Sequence, residues 1–110
     1  MKTYQIYKAG TFTGTNKELE VINPYTQKTF AQTYLAGKTE LEESIEKARE
    51  VEKELKNMPS HKRYSILMQI SEGLRANREE LAKTLALQSG KPLKYSLGEI
   101  DRATQGFIIA

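Results

Sequence analysis

The sequence predicts an α+β fold, with two or three extended segments at the front and about four helices behind them. Two observations predict it. Up to residue 37 the chain is rich in Tyr, Thr and Phe, the residues that suit a pleated, half-buried surface. From residue 38 the apolar residues recur at intervals of three and four, which is helical spacing. At 110 residues the chain has room for one domain at most. It is therefore treated as a single segment, with a strand-rich part at 1–37 and a helical part at 38–110.

The extended segments are "TYQIYKAGTFTG", "LEVINP" and "KTFAQTYLA". Between the last two, "NPYTQ" reads as a turn: Pro24 fixes its own φ, and the residue before a proline is pushed away from the helical region. The first helix is carried by Leu41, Ile45, Ala48, Val51 and Leu55, a single apolar stripe. Thr39 and Glu42 have capping-box spacing at its start, and Lys53 and Lys56 suit the negative end of its dipole. "NMP" interrupts this helix, and Ser60 is the expected cap of a second one with a stripe through Tyr64, Leu67, Ile70 and Leu74. Asn77, with Glu80 completing the box, is the expected cap of a third, whose Leu81 and Leu85 face inward.

The Gly90-Lys91 pair invites comparison with a phosphate-cradling loop, and the comparison fails. Such a loop needs a glycine five positions before Gly90 and a hydroxyl after the lysine. Leu85 and Pro92 occupy those positions, and the preceding segment is helical. Gly90 is instead predicted to end the third helix in the left-handed conformation, with Pro92 preventing its continuation. Leu93, Leu97, Ile100, Ala103 and Phe107 then mark a fourth helix. The sequence closes on "GFIIA", an apolar stretch expected to pack on further protein.

Composition excludes several functions. Without cysteine there is no disulfide framework, thiolate zinc site or thiol nucleophile. A net charge of +3, with acids and bases interleaved, does not imply a nucleic-acid partner. No signal peptide or membrane span is legible, so no membrane partner and a cytoplasmic location are expected. His61 lacks a sequence-local partner for base catalysis, and "HKR" with Arg75 and Arg78 is interrupted by Glu72, Glu79 and Glu80. Glu43, Glu46 and Glu50 share a face but read as solvated. Tyr64 and Tyr95 are expected to be half-buried packing residues. No residue stands out as a catalyst.

Taken in order, "LEVINPYTQKTFAQTYLAG", "NMPSHKRYSILMQI" and "LALQSGKPLKYSLGEIDRA" resemble the N-terminal portion of the NAD(P)-dependent aldehyde dehydrogenase superfamily. The matching positions include Asn23 and Pro24, Ile45 and Ala48, Arg63, Ile66 and Leu67, Leu81, Gly90-Lys91-Pro92, Glu99 and Phe107. The resemblance implies a parent α/β enzyme several times longer, with a Rossmann-like domain for NAD or NADP. Such an enzyme oxidises an aldehyde to a carboxylic acid through a cysteine thiohemiacetal. The catalytic cysteine and glutamate and the cofactor-binding glycines would lie outside these residues, so no catalytic or cofactor-binding residue is assigned here.

By the same resemblance, the segment serves as scaffold for the remainder of the enzyme, within a homo-oligomer. Leu97 to Phe107 would border the aldehyde entrance. A monovalent cation would be held by the backbone carbonyl of Ile22 and by the residue at position 88. Gln88 departs from the acidic residue usual there, so weak or absent cation binding is expected. On its own the chain is expected to expose apolar stripes and to self-associate. The alternative reading is a self-sufficient helical interaction module without enzymatic activity.

Overall fold

The computed structural model describes residues 1–110, and its secondary structure is α+β. Five short strands precede four helices: β1 (Lys2–Thr3), β2 (Ile6–Lys8), β3 (Thr11–Thr13), β4 (Glu18–Ile22), β5 (Thr29–Tyr34), α1 (Lys38–Lys56), α2 (Ser60–Ala76), α3 (Arg78–Ser89) and α4 (Leu93–Ile109). The expected two or three extended pieces are thus five, because turns divide the first one. The chain forms two compact units. One contains the strands and α1; the other contains α2 to α4 together with the turn Asn23–Thr26.

In the strand-rich unit, β5 is the centre of a three-stranded sheet ordered β1-β5-β4. β4 runs antiparallel to β5, and β1 lies parallel to it with Lys2 opposite Ala31. Ala31 is buried there, flanked on both sides by strands. The Tyr34 ring lies over Gly14, where a Cβ would come within 3.0 Å of it. β2 and β3 form a separate hairpin in which Tyr7 faces Phe12, their rings 5.2 Å apart and edge-on.

The two residues that turn this hairpin, Ala9 and Gly10, have φ of 49° and 90°. Two positive values in a two-residue loop mark a type I′ turn, which matches the twist of the flanking strands. Glycine adopts it freely; alanine does so at a cost of about 1 kcal/mol. Ala9→Asn is therefore expected to stabilise the hairpin by roughly 0.5–1 kcal/mol, because asparagine tolerates this region. Slower amide exchange across β2 and β3 would register the gain, and unchanged exchange would contradict it.

α1 starts earlier than its sequence cap implies. Gly37 is the N-cap residue, and the Glu40 carboxylate reaches back to accept its N–H at 2.8 Å. The expected pair of Thr39 and Glu42 is not used, since both already lie inside the helix. That same bond, from the Gly37 backbone, holds the Glu40 carboxyl below its ordinary range. The apolar stripe of α1 stays largely in solvent: Leu41, Ile45, Val51 and Leu55 are 46–60% exposed. Its neighbour is β2, to which Glu43 is tied by an ion pair with Lys8.

In the helical unit, α2 and α3 both pack on α4. The expected caps again differ. Ser60 is the first residue of α2 rather than its cap, and the Pro59 carbonyl accepts the N–H of Lys62 and of Arg63. Asn77 does stand at the start of α3, but its amide nitrogen donates backwards to the Gly73 carbonyl at 2.8 Å. It thus closes α2 rather than capping α3. Tyr64 and Tyr95, expected to be half-buried, are 62% and 63% exposed.

The buried positions here are small. Ser71, Ala82, Ser96 and Thr104 are almost wholly enclosed, while Leu67, Leu74, Leu81, Leu85, Leu97 and Phe107 are half-buried around them. Ser71 Oγ donates to the Thr104 carbonyl at 3.1 Å, joining α2 to α4. Thr104 in turn donates its hydroxyl to Ile100 one turn back. Small side chains at these points let the helix axes approach, and larger apolar residues seal the edges.

Candidate functional site

The most built-up feature of the helical unit is the elbow between α3 and α4. Gly90 ends α3 with φ 72°, and its N–H donates to the Ala86 carbonyl at 3.0 Å, so the helix stop read from the sequence is present. Ser89 reinforces it: its hydroxyl donates to Leu85 at 2.7 Å and accepts the Lys91 N–H at 3.2 Å. Pro92 then stands as the N-cap residue of α4. A Cβ on Gly90 would lie 2.9 Å from Cγ of Pro24. The Asn-Pro turn is therefore seated directly on the helix stop, 66 residues away in sequence. The turn itself is held by Asn23, whose side-chain oxygen accepts the N–H groups of Tyr25 and Thr26 at 2.9 and 3.3 Å.

Beyond the elbow, Lys91, Lys94, Tyr95, Gly98, Glu99 and Arg102 line a shallow depression of about 700 Å³. Its charges are largely engaged with one another. Lys91 donates to Glu99, and Arg102 lies 3.6 Å from the same carboxylate oxygen. The Lys91 hydrogen bond, with its charge, holds the Glu99 carboxyl below the ordinary range. Two residues further along α4, Asp101 accepts a two-pronged contact from Arg78 at 2.7 and 2.9 Å. This bond lowers the Asp101 pKa and raises that of Arg78, so the two shifts agree. The Arg78 fork fastens the start of α3 to α4, and it also contacts Glu79 at 3.2 Å.

A pH dependence follows from these ties. A carboxylate whose folded pKa is depressed contributes stability that is fully present above its unfolded value and lost as pH falls through the folded one. For Asp101 the loss begins below its ordinary 3.8, and for Glu99 below 4.5. Thermal stability is expected to be level near neutrality and to decline below this range. Asp101→Asn should flatten the decline, as should high salt, because the groups are exposed and screened. A variant with the parent's acid profile would refute the assignment.

Chemically this arrangement fastens elements; it offers no nucleophile with a neighbouring base. His61 is exposed, and its carbonyl accepts the Ser65 hydroxyl. Arg63 donates to the Met58 carbonyl, and Arg78 faces Asp101, so two members of the basic cluster are engaged within the protein. Glu43 and Glu50 are paired with Lys8 and Lys47. No three His, Asp or Glu side chains gather as a metal centre would require. Of the two residues named for a cation, Ile22 ends β4 in the strand-rich unit, and Gln88 lies exposed in the last turn of α3 in the helical unit.

Sequence reasoning missed the seat of Pro24 on Gly90 and the buried Ser71, Ser96 and Thr104. The hydroxyls are each adjacent in sequence to a predicted stripe residue, Ile70, Leu97 or Ala103. That adjacency was the available signal.

Comparison with known proteins extends the resemblance. The sequence profile of the aldehyde dehydrogenase family matches residues 12–110. Lactaldehyde dehydrogenase of Methanocaldococcus jannaschii is 36% identical over 94 residues, covering 86% of this chain and 20% of that protein. Among solved structures, aldehyde dehydrogenase 21 of Physcomitrella patens, in complex with its reaction product succinate, superposes with a TM-score of 0.93. The two are 28% identical, over 98% of this chain and 23% of that one. A glyceraldehyde-3-phosphate dehydrogenase of M. jannaschii complexed with NADP gives a TM-score of 0.81 at 36% identity, covering 86% of this chain and 21% of its own. The chain thus spans about a fifth of the length of the relatives it matches.

Proposed function

This chain belongs to the aldehyde dehydrogenase family, and on that premise we propose that it forms part of an NAD(P)-dependent enzyme that oxidises an aldehyde to a carboxylic acid. The family match over residues 12–110 carries the reading. These residues contain no cysteine, so a thiol nucleophile for that chemistry comes from outside them. Their own contribution is scaffold. The elbow at Gly90 launches α4, and the Arg78–Asp101 fork and the Ser71–Thr104 bond hold it against its neighbours; in the whole enzyme its Leu97–Phe107 stretch would border the aldehyde entrance.

The substrate proposed is a short 2-hydroxyaldehyde. Lactaldehyde and glyceraldehyde-3-phosphate, named for two of the relatives, both carry a hydroxyl on the carbon next to the aldehyde. NAD or NADP would accept the hydride, and NADP is the cofactor bound in one relative. The remainder of the enzyme, a homo-oligomeric assembly and a cytoplasmic location belong to the same reading. A monovalent cation at the Ile22 carbonyl and the Gln88 amide oxygen would be held weakly or not at all, because the amide brings no charge.

The test is a turnover assay on the gene product that carries this segment, supplied with lactaldehyde and either dinucleotide. Reduction of the nicotinamide with matching formation of lactate is expected, with little dependence on sodium or potassium. Activity confined to aldehydes without the 2-hydroxyl would overturn the substrate assignment, and inactivity with every aldehyde would overturn the enzyme itself. The 110-residue chain alone is expected to be inactive; turnover by it would end the scaffold reading.

A further inference from the structure

We draw no further inference here: the strongest candidate, the largely exposed apolar face of α1 formed by Leu41, Ile45 and Val51, carries nothing because nothing in the structure shows what covers it.

Discussion

Gly90→Ala is expected to destabilise the helical unit by about 2–5 kcal/mol, from two separable causes. The first is backbone: at φ 72° an alanine meets its own carbonyl, which costs roughly 1–2 kcal/mol. The second is collision, because the new Cβ lies 2.9 Å from Pro24 Cγ, and a proline ring cannot swing away as a lysine tip could. Overpacking of this kind typically adds about 1–3 kcal/mol. Amide exchange in α3 and α4 should accelerate roughly thirtyfold or more, since each 1.4 kcal/mol is a factor of about ten.

A double-mutant cycle separates the causes. In a Pro24→Ala background the collision is relieved, so Gly90→Ala should cost only its backbone part, leaving a coupling of about 1 kcal/mol or more. Gly90→Asn supplies a further control. Asparagine tolerates the left-handed region but still carries a Cβ, so it should retain the collision and lose most of the backbone penalty. Additive effects of the Pro24 and Gly90 changes would show that the Asn-Pro turn does not bear on the helix stop.

Ser71→Leu is the second large effect expected. Ser71 is 1% exposed and sits between α2 and α4, its hydroxyl on the Thr104 carbonyl. Leucine removes that hydrogen bond, worth about 0.5–1.5 kcal/mol, and forces extra volume where the helices meet, for roughly 1–3 kcal/mol more. Ser71→Ala should show the first loss without the second.

Ser96 provides the contrast. It is equally enclosed, but its hydroxyl has no hydrogen-bond partner. Ser96→Ala removes a buried polar group without breaking a bond, so it should be neutral or stabilising by up to about 1 kcal/mol. Denaturant titration of the two alanine variants, side by side, decides the matter. Equal destabilisation would mean that the Ser71–Thr104 bond contributes nothing specific.

Much of the helical part was legible because its signals are local. The stripe from Leu93 to Phe107, the glycine stop at Gly90 and the proline after it operate within a turn or two of the backbone, so spacing and residue type suffice to read them. The caps were legible as places but not as bonds. Asn77 stands where a cap belongs, yet its amide turned to Gly73, because a short polar side chain at a helix junction can satisfy either end. The candidate cation residues, Ile22 and Gln88, were reached only through family resemblance, since neither residue type is by itself a metal signal.

By itself, the sequence determined that strands precede four helices, the turn at Asn23-Pro24, the helix stop at Gly90 and, through its ordered motifs, the family. Tertiary structure decided which strand β1 would join, which small hydroxyls would be buried and what would rest on Gly90. It also left the α1 stripe largely in solvent while α4 found partners. The physical reason is range: φ preferences and helical periodicity act over a few residues. Pairing and burial depend instead on groups brought together from distant positions, such as Lys2 with Ala31 and Pro24 with Gly90.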